Sequence, residues 1–364
     1  MIYLDNAATT GKKPPAVLKA VQKELASPAN PGRSAHSLSL KSMNKIYETR
    51  ELLATLFHSD NPERFILMPN ATYALNFAIK GSLSSYSHVI TTSMEHNSVL
   101  RPLYALKNVN TSFVKGDNFG RVSCDDIKKE IKYNTSLIVI NHSSNVNGII
   151  QDIRSISVLA KEKKIPVLID ASQSAGFVDI NSNNYDMIAL PGHKGLYGPQ
   201  GTGALYISPS VSLNTIIEGG TGSDSKNLSN PDFMPDRFES GTLNCPGFCG
   251  LSEGIRFVLN EGFDAIWQKE HHLLKIMLEG LSVIKGIKLY TPFDLSGISN
   301  LVSFNIGNYD STRIAEMLNS RYNIAVRPGF HCAYPAHILL NTGESGSVRA
   351  SLSYFNTKNP HNES

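Results

Sequence analysis

The sequence predicts an α/β chain, a mainly parallel sheet wrapped by helices and followed by a smaller α+β part. Two observations carry this. From about residue 15, short runs rich in Val, Ile and Leu alternate with helix-like stretches, and after about residue 250 the pattern changes to long helix followed by short strands.

The apolar runs come first, in chain order: RFILMPN (64–70), SHVITTSMEHN (87–97), TSLIVINHSSN (135–145), IPVLIDASQ (165–173) and YDMIALPGHK (185–194). Each is short for a helix, β-branched, and ends in small or polar residues, as buried strands do. Between them DDIKKEIKYN (125–134) and IRSISVLAKEKK (153–164) are long enough to cross over and return the chain parallel to itself. PNATYALNFAIKG (69–81) reads as a helix whose start carries small residues and Thr72, and GPQGTG (198–203) as a turn into the strand ALYI (204–207). The polar, Gly- and Pro-containing stretch 219–236 reads as a surface loop. Beyond it, residues 250–284 form long helix interrupted near Gly262, followed by strands at IKLYTP, LVSFNI and SVRASLS, and the terminal KNPHNES has no apolar face.

Composition narrows the function classes. The 364 residues are 41% hydrophobic and 18% charged with a formal charge of +3, spread without the basic face that a nucleic-acid backbone requires. The N-terminus, MIYLDNAATTGKK, lacks a basic segment followed by an apolar one, and no window approaches a membrane span. We expect a cytoplasmic protein with neither nucleic acid nor membrane as partner. Four cysteines (124, 245, 249 and 332) in so long a chain are no disulfide framework.

In an open α/β sheet, ligands collect beyond the carboxyl ends of strands. Four predicted strands end in chemistry-bearing residues: His96; Asn145; Asp170 with Gln173; His193 with Lys194. A carboxylate at one such end can hold a heterocyclic nitrogen, and a lysine at the next can condense with an aldehyde, the pairing that pyridoxal phosphate needs. Singly, Asp170 reads equally as a helix N-cap and Lys194 as a turn lysine. Cys332 stands out for its setting, VRPGFHCAYP, a shaped loop of Pro, Gly and aromatics.

YLDNAATT, SMEHNSV, IDASQSAG, GHKGLYGPQGTG, FESGTLN, VRPGFHCA and VRASLSYFNT follow one another in this order. Together they resemble the cysteine desulfurase and selenocysteine lyase family, class V aminotransferase-fold enzymes that use pyridoxal 5'-phosphate. The RxGxHCA form of the cysteine loop is similar to the subgroup that passes sulfur to a dedicated acceptor. The resemblance implies a fold type I chain. Residues 15–250 would be a large cofactor-binding domain on a seven-stranded sheet, and 1–14 with 251–364 a small domain carrying the cysteine loop.

It further implies Lys194 as the lysine that bonds the cofactor aldehyde, Asp170 as partner of the pyridine nitrogen, Gln173 of the ring hydroxyl, and His96 as the stacking residue. Ala71, Thr72 and His193 would hold the phosphate, with Thr242 supplied by the second subunit of a homodimer. Arg349 would clamp the substrate carboxylate, while Asn145, Arg327 and His36 line the site. Cys332 would be the nucleophile, taking sulfur from L-cysteine to leave L-alanine and a persulfide destined for an acceptor protein. Its thiolate would be favoured by Arg327 and His331, on a mobile loop. Alternatives on the same fold are a selenocysteine lyase acting on L-selenocysteine, or another class V aminotransferase, epimerase or lyase in which Cys332 takes no part.

Two positions depart from the family pattern. Pro191 stands where serine is frequent, and Asn70-Ala71-Thr72 where Gly-Thr-Thr is frequent, so two phosphate-binding hydroxyls are replaced by backbone N–H groups. A zinc site on Cys245, Cys249, Cys332 and His331 is disfavoured because adjacent residues can hardly aim at one ion, and no metal is expected. His271 and His272, with Glu270, read as solvated, and Trp267 as core.

Overall fold

Strict alternation along the strands explains the architecture. Phe65, Leu67, Ile90, Ile138, Ile140, Val167, Ile169, Ile188 and Leu190 belong to one buried cluster. Their neighbours Ile66, Met68, Val89, Leu137, Val139, Leu168, Met187 and Ala189 belong to another. Successive strand residues point to opposite faces, so the sheet is covered on both sides, the condition under which parallel strands occur. The structure, a computed structural model, describes residues 1–27, 29–32 and 34–358. All but the first residue of the expected KNPHNES tail lies outside the described residues.

The chain opens with β1 (Ile2–Tyr3), α1 (Pro15–Leu25) and α2 (Ser37–Leu56). There follow β2 (Phe65–Met68), α3 (Ala71–Ser82), β3 (His88–Thr92), α4 (Asn97–Ala105), β4 (Asn110–Val114) and α5 (Cys124–Glu130). Next come β5 (Thr135–Asn141), α6 (Ile153–Glu162), β6 (Val167–Asp170), β7 (Met187–Pro191) and β8 (Gly203–Ile207). These strands build a seven-stranded sheet in the order β2-β8-β7-β6-β5-β3-β4, in which only β8 runs against the others. The edge strand β4, NTSFV, is half exposed and polar, so it carried no apolar run to announce it.

Two helices, α7 (Cys245–Glu261) and α8 (Phe263–Ser282), meet at Gly262, whose φ of 80° ends one helix and turns into the next. The rest is β9 (Ile287–Leu289), β10 (Leu301–Ile306), α9 (Ser311–Tyr322), β11 (Ile324–Ala325), α10 (Tyr334–Leu339) and β12 (Val348–Ser351). A three-stranded antiparallel sheet, β12-β10-β9, packs its apolar face against α8 and α9 through Leu274, Leu278, Val302, Phe304, Ile314 and Val348. The N-terminal strand β1 pairs with β11, so the first residues join this later part of the chain. A buried bidentate pair, Arg50 with Glu239, ties α2 to β2, because Glu239 Oε1 also accepts from the Leu67 amide at 2.6 Å.

Among the described residues no helix is long and apolar enough to cross a membrane. On α8 the solvated reading holds for His272 and is corrected for Glu270 and His271. Glu270 is only 2% exposed and hydrogen-bonded by Asn300 and Tyr197. His271 stacks on Trp267 at 3.8 Å and on Phe177 at 5.6 Å. His272 alone is exposed. The segment before β10 covers this side of the helix, where His271 Nε2 meets the Ile298 carbonyl at 2.8 Å.

Candidate active site

The neighbouring strands β7, β6, β5 and β3 end side by side, and their carboxyl ends open into a cavity of about 220 Å³. Asp170 closes β6; His193 and Lys194 follow β7; Asn141 closes β5, with Asn145 in the turn beyond; His96 follows β3. Ala71 and Thr72 reach the same cavity from the start of α3, Gln173 from the turn after β6, and Arg327 and Arg349 from the later part of the chain. Ten of the thirteen residues singled out from sequence therefore line one space.

Each is held for a reason. Asn70 caps α3 by accepting from the Tyr73 amide at 3.0 Å, so the amides of Ala71 and Thr72 face the cavity with no protein partner among the described residues. The Thr72 hydroxyl meets Ser98 Oγ at 2.8 Å, and Ser98 in turn meets His96 Nδ1 at 3.0 Å. His96 Nδ1 also accepts from the Ser98 amide, which fixes the ring and leaves Nε2 protonated in the neutral form. Burial, with Lys194, Arg327 and Arg349 nearby, outweighs Asp170 and lowers the His96 pKa to about 4, so the ring is neutral at pH 7.

Lys194 exposes surface onto the cavity it lines, and burial lowers its pKa from 10.5 to about 8. Asp170 opposes that shift, while Arg349 and Arg327 add to it. The amine is thus within reach of its neutral form, which a lysine in water at pH 7 is not. Asp170 Oδ1 accepts from the Ser172 amide at 2.9 Å. Gln173 Nε2 donates to the Ala7 carbonyl at 3.0 Å, leaving its oxygen for another partner.

Arg349 is 2% exposed; its guanidinium donates to the Asn145 carbonyl at 2.8 Å and pairs with Asp5 at 3.1 Å. Its Nε has no partner, and burial lowers its pKa to about 10 despite Asp5. Arg327 and Arg349 face each other across a backbone bridge, with amide–carbonyl distances of 3.0 and 2.8 Å. Two guanidiniums therefore serve one cavity wall, ready for an anion.

Cys332 is exposed and sits beside the cavity, close enough to Arg349 for its charge to act on that guanidinium. Its backbone is strained: His331 and Cys332 have φ of 48° and 58°, consecutive left-handed residues that are not glycine. The Asn97 amide holds the Cys332 carbonyl at 2.7 Å, and Asn145 Nδ2 holds the His331 carbonyl at 2.7 Å. The expected mobile loop is thus a short, anchored turn. His331 is 4% exposed and its pKa lies well below 6.5 through burial, so it brings no positive charge to Cys332.

Three expected residues lie outside the cavity. His36 is the exposed N-cap of α2, accepting from the Ser39 amide at 3.2 Å. Thr242 is exposed in the segment before α7, and Cys332 lies at the rim. Sequence reasoning missed Asp5, Asn141 and Ser98. Asp5 and Ser98 stand inside the quoted YLDNAATT and SMEHNSV motifs, but only the fold shows that one meets Arg349 and the other bridges Thr72 to His96.

The cavity fits a polar, phosphorylated ring. Asn141 Oδ1, Ser143 Oγ, His193 Nδ1, His331 Nδ1 and Arg349 Nε belong to cavity-lining residues, are buried, and have no partner among the described residues. Buried polar atoms are seldom left unpaired, so such a set points to a ligand. Free amides at the start of a twelve-residue helix suit a phosphate.

One consequence is measurable without any ligand. His142 stands between the cavity-lining Asn141 and Ser143, and burial lowers its pKa from 6.5 to about 4. Between those values the unfolded chain binds a proton that the folded chain refuses, so stability is full above 6.5 and lost as the pH falls towards 4. The slope is up to about 1.4 kcal/mol per pH unit for each such histidine. Urea unfolding at pH 7 and pH 5 should show His142→Gln losing about 1–2 kcal/mol less than wild type; identical losses would contradict a neutral, buried His142.

The chain is similar to known proteins along nearly its whole length. The profile of the aminotransferase class-V family matches residues 2–360. A probable cysteine desulfurase of Methanothermobacter thermautotrophicus is 35% identical, the match covering 98% of this chain and 91% of that protein. A cysteine desulfurase of Yersinia pseudotuberculosis is 31% identical over 98% of this chain and 90% of its own. The apo structure of a cysteine desulfurase from Thermococcus onnurineus superposes with a TM-score of 0.90 at 31% identity, covering 98% of this chain and 91% of the other.

Proposed function

The chain belongs to the aminotransferase class-V family and, within it, to the cysteine desulfurases, and from that premise we propose how its own residues carry the reaction. The family is pyridoxal-phosphate dependent, and we infer that this chain binds that cofactor between Ala71, Thr72, His96, Asp170, Gln173, His193 and Lys194. The convergence of four strand ends carrying these groups on one cavity supports the reading. When bound, the cofactor supplies an aldehyde carbon for an amine and a ring that accepts an electron pair.

The protein supplies position and protons. Arg349 and Arg327 take the substrate carboxylate, and Arg349 Nε is already free for it. Lys194, with a pKa near 8, takes the Cα proton and returns one to carbon. Asp170 keeps a proton on the heterocyclic nitrogen, and the neutral His96 ring offers a flat, uncharged face. Cys332 as thiolate attacks the substrate sulfur. An S–S bond forms on Cys332 as the Cβ–S bond breaks, the electron pair of the broken bond goes to Cβ, and Cβ takes a proton. The products are L-alanine and a persulfide at an exposed position, where an acceptor protein can collect it.

The same reading gives a cytoplasmic homodimer, with Thr242 of one subunit completing the phosphate site of the other. Its exposure outside the cavity of its own chain supports this. The test is product analysis. The pyridoxal-loaded protein, given L-cysteine and a thiol reductant, should form alanine and sulfide one to one. Absence of alanine from L-cysteine, with alanine formed from L-selenocysteine, would move the assignment to a selenocysteine lyase.

A further inference from the structure

Away from the cavity, α1, α2 and α7 meet around a second cluster. Cys245 opens α7 and Cys249 follows one turn later, while Glu24 comes from α1. Their ligand atoms all lie within 4.8 Å of one another. Exposure of the three is 3% for Cys245, 9% for Cys249 and 3% for Glu24. A buried acid needs partners, and here two thiols stand among the groups around it.

The polar contacts are complete and specific. Glu24 Oε1 accepts from Ser42 Oγ at 2.9 Å and from Cys245 Sγ at 3.3 Å, and Oε2 pairs with Lys45. The thiols are not placed for an internal disulfide. That bond needs Cβ atoms about 3.5–4.5 Å apart, and residues four apart on a helix hold theirs at about 5–6 Å. The same spacing lets two side chains on one helix face grip a single ion.

Charge decides the kind of ion. With both thiols protonated, Glu24 and Lys45 cancel. With both ionised, the three anionic ligands and Lys45 leave a charge of −2, which a divalent cation cancels again. Exchanging two protons for one such ion therefore leaves the buried charge at zero in both states. Two sulfurs among the ligands select a thiolate-seeking metal over magnesium or calcium.

We propose that Glu24, Cys245 and Cys249 form a binding site for one zinc ion, beside Ser42, whose hydroxyl donates to Glu24 at 2.9 Å and whose carbonyl lies 3.8 Å from Cys245 Sγ. This revises the expectation of no metal, and it does so with a set that leaves out Cys332 and His331, which belong to the cavity rim. The ion fixes the first turn of α7 to α1 and α2. Because Thr242 lies three residues before Cys245, it also anchors the segment that presents Thr242.

The test uses the pyridoxal-loaded, full-length protein carrying Cys332→Ser, so that the exposed thiol cannot contribute. After chelator treatment, loading with zinc and gel filtration, elemental analysis should find one zinc per chain. Loading with cobalt(II) should give sulfur-to-cobalt charge-transfer absorption and d–d bands in the red, where the cofactor does not absorb. Adding Cys245→Val and Cys249→Val, which keep the volume apolar, should lower retained metal at least tenfold. Glu24→Gln should leave the sulfur bands but weaken retention. Absence of sulfur-to-cobalt bands in the Cys332→Ser protein overturns the proposal whether or not the valine variant folds, as does equal metal retention by both.

Discussion

Lys194→Ala should abolish alanine formation from L-cysteine, by at least about 10⁴-fold, the upper range of what one positioned proton-transfer group contributes. The argument rests on place as much as type. Lys194 follows β7, next to the strand that ends in Asp170, and burial brings its amine to about 8. No other lysine lines the cavity among the described residues, and burial lowers the pKa of the histidines there, to about 4 for His96 and His193 and well below 6.5 for His331, which makes them weak bases. No neighbour can therefore replace it as a base for the Cα proton. Single-turnover alanine release is the measurement, with circular dichroism to show that the fold is kept. A variant retaining a tenth of wild-type activity would remove Lys194 from proton transfer. Lys194→Arg should fail equally, because a guanidinium stays protonated and cannot accept the proton.

The large sheet was legible because its strands are buried on both faces, so Val, Ile and Leu occur in unbroken runs that stop at the polar residues of the cavity. What alternation could not reveal was an edge. The strand NTSFV is half exposed on both faces and reads as loop. The cavity itself was legible as residue types gathered at strand ends, whereas Asp170 and Lys194 taken singly read as an N-cap and a turn lysine until the motifs around them were joined. The cavity's supports were not legible. Asp5 reaches Arg349 across 344 residues of sequence, and Asn145 holds the cysteine turn across 186. Such contacts follow from topology, which periodicity does not encode.

The cysteine turn shows the same limit from the other side. Its Pro and Gly marked it as a shaped loop, and transport of sulfur suggested motion. Yet Asn97 and Asn145 hold the carbonyls of Cys332 and His331, and Gly346 packs its backbone so close to Gly329 that a Cβ there would sit 2.3 Å from the Gly329 oxygen. His331 looked like a cation beside the thiol because sequence cannot show that it is buried; the charge near Cys332 comes from Arg349 instead.

Cys332→Ser should lower alanine formation from L-cysteine by at least about 10³-fold while leaving cofactor colour and substrate binding nearly intact. A hydroxyl at this position is a poor acceptor of sulfur. Serine is close to cysteine in size and keeps the backbone, so the anchored turn and its two left-handed residues survive the change. The loss should therefore fall on kcat and spare KM, the pattern of a group used only in the transition state. Cys332→Ala should behave the same way, which separates a nucleophile from a hydrogen-bond donor. After one turnover the wild type should carry a single labelled sulfur from cysteine, and neither variant should carry any. Equal alanine formation by wild type and Cys332→Ser would make Cys332 a bystander. The substrate sulfur would then be taken directly by the added thiol reductant, and the strained, exposed turn beside Arg349 would have no chemical reason to exist.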